Sequence, residues 1–163
     1  MTKSSLWIPV LVAACAAIVV AVLGASITEL GPWYRNLKKP EWQPPDWAFG
    51  PAWTIIFALA AVSGITAWWD APSESSREWM IGFFAINGFL NVLWSALFFR
   101  LQRPDWALIE VAFLWLSILV PVVAFFRYSM PASALLVPYL VWVSFAALLN
   151  FEVARLNGYS TPF

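Results

Sequence analysis

The sequence has 163 residues, of which 62% are hydrophobic and 11% are charged, and nine basic residues balance nine acidic ones. Soluble domains carry about 25% charged residues, so this chain has too few polar side chains to cover a soluble surface, and we expect a membrane protein that crosses the bilayer several times. The zero net charge excludes bulk electrostatic attraction to nucleic acid, so no nucleic-acid partner is expected.

The residue types that are missing exclude several kinds of site. The chain has no histidine, which removes imidazole metal ligands, Ser-His-Asp triads and Cys-His dyads. Its one cysteine, Cys15, cannot form a disulfide within the chain. We therefore expect no metal site and no conventional catalytic residues.

Five apolar runs are each about 20 residues long, the length at which an α-helix crosses the hydrocarbon core of a bilayer. They predict an all-α fold, a five-helix transmembrane bundle in one domain over 1–163, with helices at about 6–28, 51–69, 78–99, 106–126 and 132–155. The first run follows Lys3 and could instead be a signal peptide, since Val12-Ala13-Ala14-Cys15 is similar to a lipoprotein cleavage box. We favour a spanning helix because the apolar run continues well past Cys15.

Local signals predict where the helices begin and end. Pro51 has no backbone N–H, so the second helix is expected to begin near Gly50, with Pro51 at its first position. Asp105 is expected to cap the fourth helix. Asn157-Gly158 is a stop signal for the fifth. Short connections make successive helices antiparallel neighbours.

The connection between the first two helices is rich in proline and tryptophan. From Trp33 to Trp53 it reads WYRNLKKPEWQPPDWAFGPAW. Its prolines restrict the backbone, which predicts a stiff, non-helical loop. Its aromatic side chains suit a membrane interface. We predict that this loop folds as a lid over a pocket inside the bundle.

The positions of lysine and arginine predict the orientation in the membrane. One side of the predicted bundle carries three of them, Lys3, Arg77 and Arg127. The other side carries six, which are Arg35, Lys38, Lys39, Arg100, Arg103 and Arg155. Because cytoplasmic loops carry the excess of positive charge, we expect the amino terminus outside, and the loop and the carboxyl terminus in the cytoplasm.

Polar residues inside the apolar runs are candidates for function, because they are costly in hydrocarbon. Asn87 and Asn91 lie one turn apart on one face of the third helix. They either form hydrogen bonds between helices or contact a ligand, and the sequence leaves both open. Glu110 is expected to reach back to the interface. Glu152 and Arg155 are spaced to pair at the rim of the fifth helix.

Large aromatic and small residues share one face of the second helix and one face of the fifth. On the second helix this face carries Trp53, Phe57, Ala60 or Ala61, Gly64 and Trp68, and on the fifth Pro138, Trp142, Phe145, Ala146 and Leu149. Such faces usually pack or meet lipid. Here the small residues leave room for a flat ligand, and a proline within a helix bends it beside a cavity. The residues alone leave packing and a ligand pocket both open.

Three stretches resemble the TspO/MBR family, whose members are also called translocator proteins, tryptophan-rich sensory proteins or peripheral-type benzodiazepine receptors. They are WYRNLKKPEWQPPDWAFGPAWTIIF, NVLWSALFF and VPYLVWVSFAALLNFEVARLN. The resemblance implies a five-helix bundle in membrane lipid, commonly a homodimer. It also implies binding of porphyrins such as protoporphyrin IX and haem, of isoquinoline and benzodiazepine-type ligands and, to varying degrees, of sterols, with no required cofactor.

Carried over residue by residue, the resemblance places ligand-binding residues at nine positions. These are Tyr34, Trp42, Trp53, Phe57, Asn91, Trp94, Trp142, Phe145 and Ala146. Trp53 and Trp142 resemble paired tryptophans that flank a bound tetrapyrrole. Glu41 stands where some bacterial members have tryptophan, and Phe57 where others have tyrosine. Phe151 replaces the tyrosine of the sterol-recognition pattern, which argues against tight sterol binding.

These features together predict a membrane receptor or sensor that holds a porphyrin between indole rings, with the porphyrin carboxylates near Arg35, Lys38 and Lys39. Three alternatives stay open. One is light-dependent porphyrin degradation, with radicals formed on Trp53 and Trp142. Another is a transporter of tetrapyrrole or lipophilic cargo. The third is a bundle that only packs.

Overall fold

The computed structural model describes residues 3–159, with side chains described from Trp7 onward. Its five long helices are α1 (Lys3–Ile27), α2 (Phe49–Asp70), α3 (Glu74–Ser95), α4 (Pro104–Phe126) and α5 (Met130–Leu156). Each is long and apolar enough to cross a membrane, and the described residues contain no strand. The predicted all-α five-helix bundle is confirmed. Residues 1–2 and 160–163 of the predicted domain lie outside the described part.

The second helix begins near Gly50, as predicted, but Pro51 is not its first residue, and the predicted cap of the fourth helix was wrong. α2 begins at Phe49, following a 3₁₀ turn at Asp46–Ala48, so Pro51 is its third residue. α4 begins at Pro104, whose missing N–H is no loss in the first turn. Asp105 is therefore not the cap. Its carboxylate instead accepts hydrogen bonds from Arg103 at 2.8 and 2.5 Å.

The third helix also differs from its predicted range. It begins at Glu74, earlier than expected, because Ser73 Oγ accepts a hydrogen bond from the Ser76 N–H at 3.2 Å and caps the helix. At its other end α3 continues as a π-helical turn, Ala96–Arg100. This turn places Phe98 and Phe99 in contact with the loop between α1 and α2.

The centre of the bundle is built on α4. Its inward side chains are buried against α3 and α5: Leu108, Val111, Leu114, Ile118 and Phe125. α2 packs against α5, while α1 packs against α2 and α3. No described residue of α1 is buried, so α1 is the outermost of the five helices.

A chain of hydrogen bonds crosses the bundle centre and joins α3, α5 and α4. Asn91 Nδ2 donates to Tyr139 Oη at 3.2 Å, and the Tyr139 hydroxyl donates to Asn87 Oδ1 at 3.1 Å. Asn87 Nδ2 donates to Ser117 Oγ at 2.9 Å, and Ser117 donates to the Leu114 carbonyl at 2.7 Å. Both asparagines thus bond between helices, one of the two interpretations that the sequence left open.

Glu110 does not reach the interface as expected. It is 6% exposed, and neither of its carboxylate oxygens has a hydrogen-bond partner among the described residues. It lies on the face of α4 that also buries Ala107 and Val111, so helix packing directs it inward. A buried carboxyl without partners destabilises the fold.

The loop between α1 and α2 folds over one end of the bundle, and we call residues 31–48 the lid. It was expected to be non-helical, but Pro32–Asn36 forms a short helix. Trp33 of this helix lies edge-on to Phe98, with ring centroids 5.9 Å apart. Tyr34 is buried and meets Phe99 at 5.7 Å. The start of the lid is therefore seated on the end of α3.

Two sets of hydrogen bonds fix the rest of the lid. The Tyr34 hydroxyl donates to Asp46 Oδ1 at 2.8 Å, and Gln43 Nε2 donates to Tyr34 Oη at 3.2 Å. Asn157, at the end of α5, pairs with the Lys38 backbone. The Lys38 N–H donates to Asn157 Oδ1 at 2.9 Å, and Asn157 Nδ2 donates to the Lys38 carbonyl at 2.8 Å. We call this pairing the latch.

These contacts bring the lid, the α3–α4 connection and the end of α5 to one end of the bundle. An ion pair between Glu29 and Arg100 ties the end of α1 to the same place. The predicted Glu152–Arg155 pair is confirmed there, at 2.7 Å. The described basic side chains of this end are the six that the sequence assigned to one side, and cytoplasmic placement of this end stays a prediction.

Replacing Glu110 by leucine is expected to stabilise the protein, because an apolar side chain of similar size then takes the place of a buried carboxyl without a partner. The free energy of unfolding in detergent should rise by about 1–3 kcal/mol, measured as a higher Tm. Glu152→Leu is the control, since Glu152 is paired with Arg155 and should give no rise. A lower Tm for Glu110→Leu would contradict this account.

Replacing Asn157 by alanine removes the latch, and the lid should open more often. The two hydrogen bonds of the latch are exposed, and the variant also loses the bond from Asn157 Nδ2 to the Val153 carbonyl within α5. We expect the lid to lose about 1 kcal/mol of local stability and amide hydrogen exchange over residues 37–45 to be about fivefold faster. The control is Asn36→Ala, an exposed lid asparagine with no side-chain hydrogen bond among the described residues. Equal exchange in the two variants would show that the latch does not hold the lid.

Candidate functional site

A cavity of about 640 Å³ lies beneath the lid, between α1, α2, α3 and α5. Its volume falls in the range of roughly 300–1,000 Å³ that is typical of small-molecule sites. No described residue of α4 lines it, because the inward face of α4 is already packed against α3 and α5. The cavity therefore lies beside the centre of the bundle, on the side that α1 closes.

Aromatic side chains of α2 and α5 form one wall of the cavity. Trp53 stacks on Phe57 with ring centroids 5.3 Å apart, and meets Trp142 edge to face at 6.1 Å and 88°. A ring placed between two others needs about 3.5 Å on each face, so none fits between Trp53 and Trp142 at this separation. The expectation that these two indoles flank a ligand is therefore corrected, since they belong to the same wall.

Small residues of α1 form another wall. Ala21, Gly24 and Ala25 follow helical spacing and face the cavity together. Since α1 packs on α2 and α3, these residues close the side away from α4. Their short side chains leave open the space that larger ones would fill. This wall was missed in the sequence, where the small residues at i, i+3 and i+4 were the available signal.

The third side belongs to α3. Trp94 stacks on Phe98, with ring centroids 5.3 Å apart, and Ser95 lies beside it. Asn91 lies one turn deeper, with its amide nitrogen bonded to Tyr139. Asn91 thus bonds between helices and also lines the cavity, and its contact with a ligand stays a prediction.

The lid end of the cavity is polar. Tyr34, Lys39, Gln43 and Asp46 all line it there. Lys39 Nζ lies 3.6 Å from the centroid of the Tyr34 ring, a cation–π contact. Burial raises the pKa of the Tyr34 hydroxyl, and its hydrogen bond to Asp46 raises it further, so this hydroxyl stays protonated and donating.

Only one of the three basic residues expected near a ligand's carboxylates reaches the cavity. Lys39 lines it, whereas Lys38 is exposed and does not. Arg35 is exposed as well, and its Nε donates to the Leu30 carbonyl at 3.2 Å. A single ammonium group is therefore the positive charge at the lid end of the cavity.

Seven of the nine positions carried over from the family lie in the cavity wall. They are Tyr34, Trp53, Phe57, Asn91, Trp94, Trp142 and Ala146. Trp42 and Phe145 do not line it. Their rings pack together at 5.8 Å, and Phe145 meets Trp142 at 5.5 Å, so they back the aromatic wall from outside. That any of the nine binds a ligand stays a prediction.

Two buried residues that the sequence did not single out for the site hold it together. Tyr139 links Asn87 to Asn91, and its ring meets Trp53 at 6.1 Å. Asn150 lines the lid end and reaches the first turn of α4. With its amide oriented for hydrogen bonding, its nitrogen donates to the Pro104 carbonyl and its oxygen accepts from the Leu108 N–H, both at 3.1 Å.

The chemistry of the wall suits binding of a flat apolar molecule. Its ionisable residues, Tyr34, Lys39 and Asp46, all lie at the lid end. From residue 7 to 159, no group of three or more His, Cys, Asp or Glu side chains is placed to hold a metal ion. The cavity can thus accept a ligand with an apolar body and a polar edge, with that edge at the lid.

Comparison with known proteins agrees with this architecture. The model of the TspO/MBR family matches residues 10–156. A tryptophan-rich protein TspO from Chlorobaculum tepidum is 43% identical over 96% of this chain and 99% of its own length. A tryptophan-rich sensory protein from Cereibacter sphaeroides is 39% identical over 77% of each chain. The human translocator protein is 30% identical over 77% of this chain and 75% of its own.

The family match spans residues 10–156, which include the lid and most of the four helices that line the cavity, and the relatives each cover more than three quarters of the chain. Together with five apolar helices of spanning length, they establish an integral membrane protein that crosses the bilayer several times. The chain belongs to the TspO/MBR family.

Proposed function

We propose that this protein is a membrane receptor or sensor that binds porphyrins, such as protoporphyrin IX or haem, in the cavity beneath the lid. The observation that carries the proposal is the cavity of about 640 Å³, with an aromatic wall, a wall of small residues and a cationic lid end. The names of relatives support the receptor or sensor role, since one is called a sensory protein and another a translocator protein.

The macrocycle lies with one face on the aromatic wall of Trp53, Phe57 and Trp142. Its other face meets the small residues of α1, which allow close approach. Apolar area removed from water contributes about 25 cal/mol per Å², and aromatic contacts add to this. Trp42 and Phe145 keep Trp142 in place from behind.

The carboxylates of the porphyrin lie at the lid end, beside Lys39. The Asp46 carboxylate also lines this end and would repel them, but its Oδ1 accepts hydrogen bonds from Tyr34 and Gln43. The Lys39 ammonium is thus the group available to a ligand carboxylate. Because this end of the bundle carries six of the nine basic residues, we propose that the lid faces the cytoplasm.

Replacing Trp53 or Trp142 by phenylalanine should weaken binding of protoporphyrin IX. The smaller ring removes apolar contact from the wall, and we expect a loss of about fivefold in affinity for each variant. Quenching of fluorescence measures it, since the chain has 12 tryptophans and 11 stay in each variant.

The matched control is Trp69→Phe, which lies on the same helix as Trp53 but is 51% exposed and outside the cavity wall. Its affinity for protoporphyrin IX should equal that of the unmodified protein. If neither Trp53→Phe nor Trp142→Phe changed the affinity, the porphyrin would not bind in this cavity.

Replacing Lys39 by methionine should weaken binding of the free acid of protoporphyrin IX and leave its dimethyl ester unaffected. The change removes one partly exposed ion pair, so we expect the affinity for the free acid to fall about three- to fivefold, and to fall less at high salt. Titration of both ligands into both proteins measures this. Lys38→Met is the control, because Lys38 is the neighbouring lysine and does not line the cavity. Equal losses in the two variants would contradict a specific role for Lys39.

A further inference from the structure

The hydrogen-bond chain that starts at Asn91 has only one possible direction. Its far end is the Leu114 carbonyl, which can only accept, so Ser117 must donate to it across 2.7 Å. The single hydroxyl hydrogen of Ser117 is then committed. Ser117 therefore accepts from Asn87, and the atom of Asn87 that lies 2.9 Å away must be the amide nitrogen.

The hydrogen bonds between Ser117 and the cavity also have a fixed donor and acceptor at each step. With its nitrogen on Ser117, Asn87 turns its oxygen towards Tyr139, and the Tyr139 hydroxyl donates to it at 3.1 Å. The Tyr139 oxygen then accepts from the nitrogen of Asn91 at 3.2 Å. Since the oxygen and nitrogen of an amide diverge, the Asn91 oxygen faces away from Tyr139.

The Asn91 oxygen is open and has no donor. No described residue donates a hydrogen bond to it. It is not sealed inside the protein either, because the buried side-chain nitrogen and oxygen atoms without partners within residues 7–159 belong to Glu110 and Trp142. Asn91 lines the cavity, so this oxygen is a hydrogen-bond acceptor at the cavity wall.

Asn91 and Lys39 lie at opposite ends of the cavity. Phe99 marks the lid end on α3, where it meets Tyr34. Asn91 precedes it by eight residues, which is about 12 Å along a helix. A porphyrin with its carboxylates at Lys39 therefore turns its opposite edge towards Asn91.

We propose that Asn91 selects among ligands by accepting a hydrogen bond at the inner end of the cavity, and that Tyr139 is the positioning residue that holds the Asn91 amide in this orientation. This inference rests on the proposed function. It specifies the preferred class as flat ligands with a carboxylate edge and, on the opposite edge, a hydrogen-bond donor such as a hydroxyl or a lactam N–H. A ligand with only an acceptor there leaves two oxygens facing each other.

Three porphyrins that share the macrocycle and both propionates test this. On the opposite edge, haematoporphyrin IX has hydroxyethyl groups, which donate, and diacetyldeuteroporphyrin IX has acetyl groups, which only accept. Protoporphyrin IX has vinyl groups and serves as the apolar reference. In the purified protein, titrated in the dark, we expect haematoporphyrin IX to bind about tenfold more tightly than the diacetyl compound.

Two variants separate positioning from mere packing. Tyr139→Phe keeps the ring but frees the Asn91 amide to turn, and Asn91→Leu removes the acceptor. Both should bring the affinity ratio of the two porphyrins close to one, whatever they do to the affinity for protoporphyrin IX. A merely structural role would change both affinities and leave their ratio intact. Tyr128→Phe, at a tyrosine outside the cavity wall, should keep the tenfold ratio.

The outcomes are distinguishable. A tenfold preference that both variants abolish supports the inference. Equal affinities, or a preference for the diacetyl compound in the unmodified protein, would overturn it, and tight binding of protoporphyrin IX would leave the proposed function standing. A preference that survives in both variants would also overturn it, because other groups would then discriminate. If none of the three porphyrins binds, the proposed function fails and the inference fails with it.

Discussion

Hydrocarbon offers no hydrogen bonds, so a polar side chain inside this bundle is stabilised by a partner within the protein. The chain from Asn91 through Tyr139 and Asn87 to Ser117 meets this requirement and ties three helices together. Of these helices, α3 and α5 both pack closely against α4. The cavity is consequently displaced to the side of α1, whose described residues include none that is buried.

The lid is held by different forces from the bundle beneath it. Its first turn packs against Phe98 and Phe99, whereas the backbone at Lys38 is held by exposed hydrogen bonds to Asn157. Exposed hydrogen bonds contribute less than buried ones because water competes for them. The part of the lid that carries Lys39 is therefore less firmly attached than the part that carries Tyr34.

Much of this fold could be predicted because helix length and apolar composition are local properties of the sequence. The five helices could be predicted from them. The predicted cap at Asp105 was wrong because the helix begins one residue earlier, at Pro104. The site was harder, since its contacts are distant in sequence. Tyr139 lies 48 residues from Asn91, and no local pattern pairs them. Glu110 was misplaced because the packing of α4, rather than its distance from the helix end, directs its side chain inward.

The position of the two indoles changes how selectivity can arise. Two opposing aromatic rings would select a ligand by its thickness and by stacking on both faces. In this protein Trp53 and Trp142 share a wall, and the α1 side of the cavity is formed mainly by small residues, with Val22 and Thr28 beside them. Such a surface gives dispersion contacts to any flat molecule and has no preferred partner. In the proposed binding mode, discrimination between flat ligands therefore falls to polar groups at the two ends of the cavity, where the Lys39 ammonium and the Asn91 amide would act on opposite edges of the ligand.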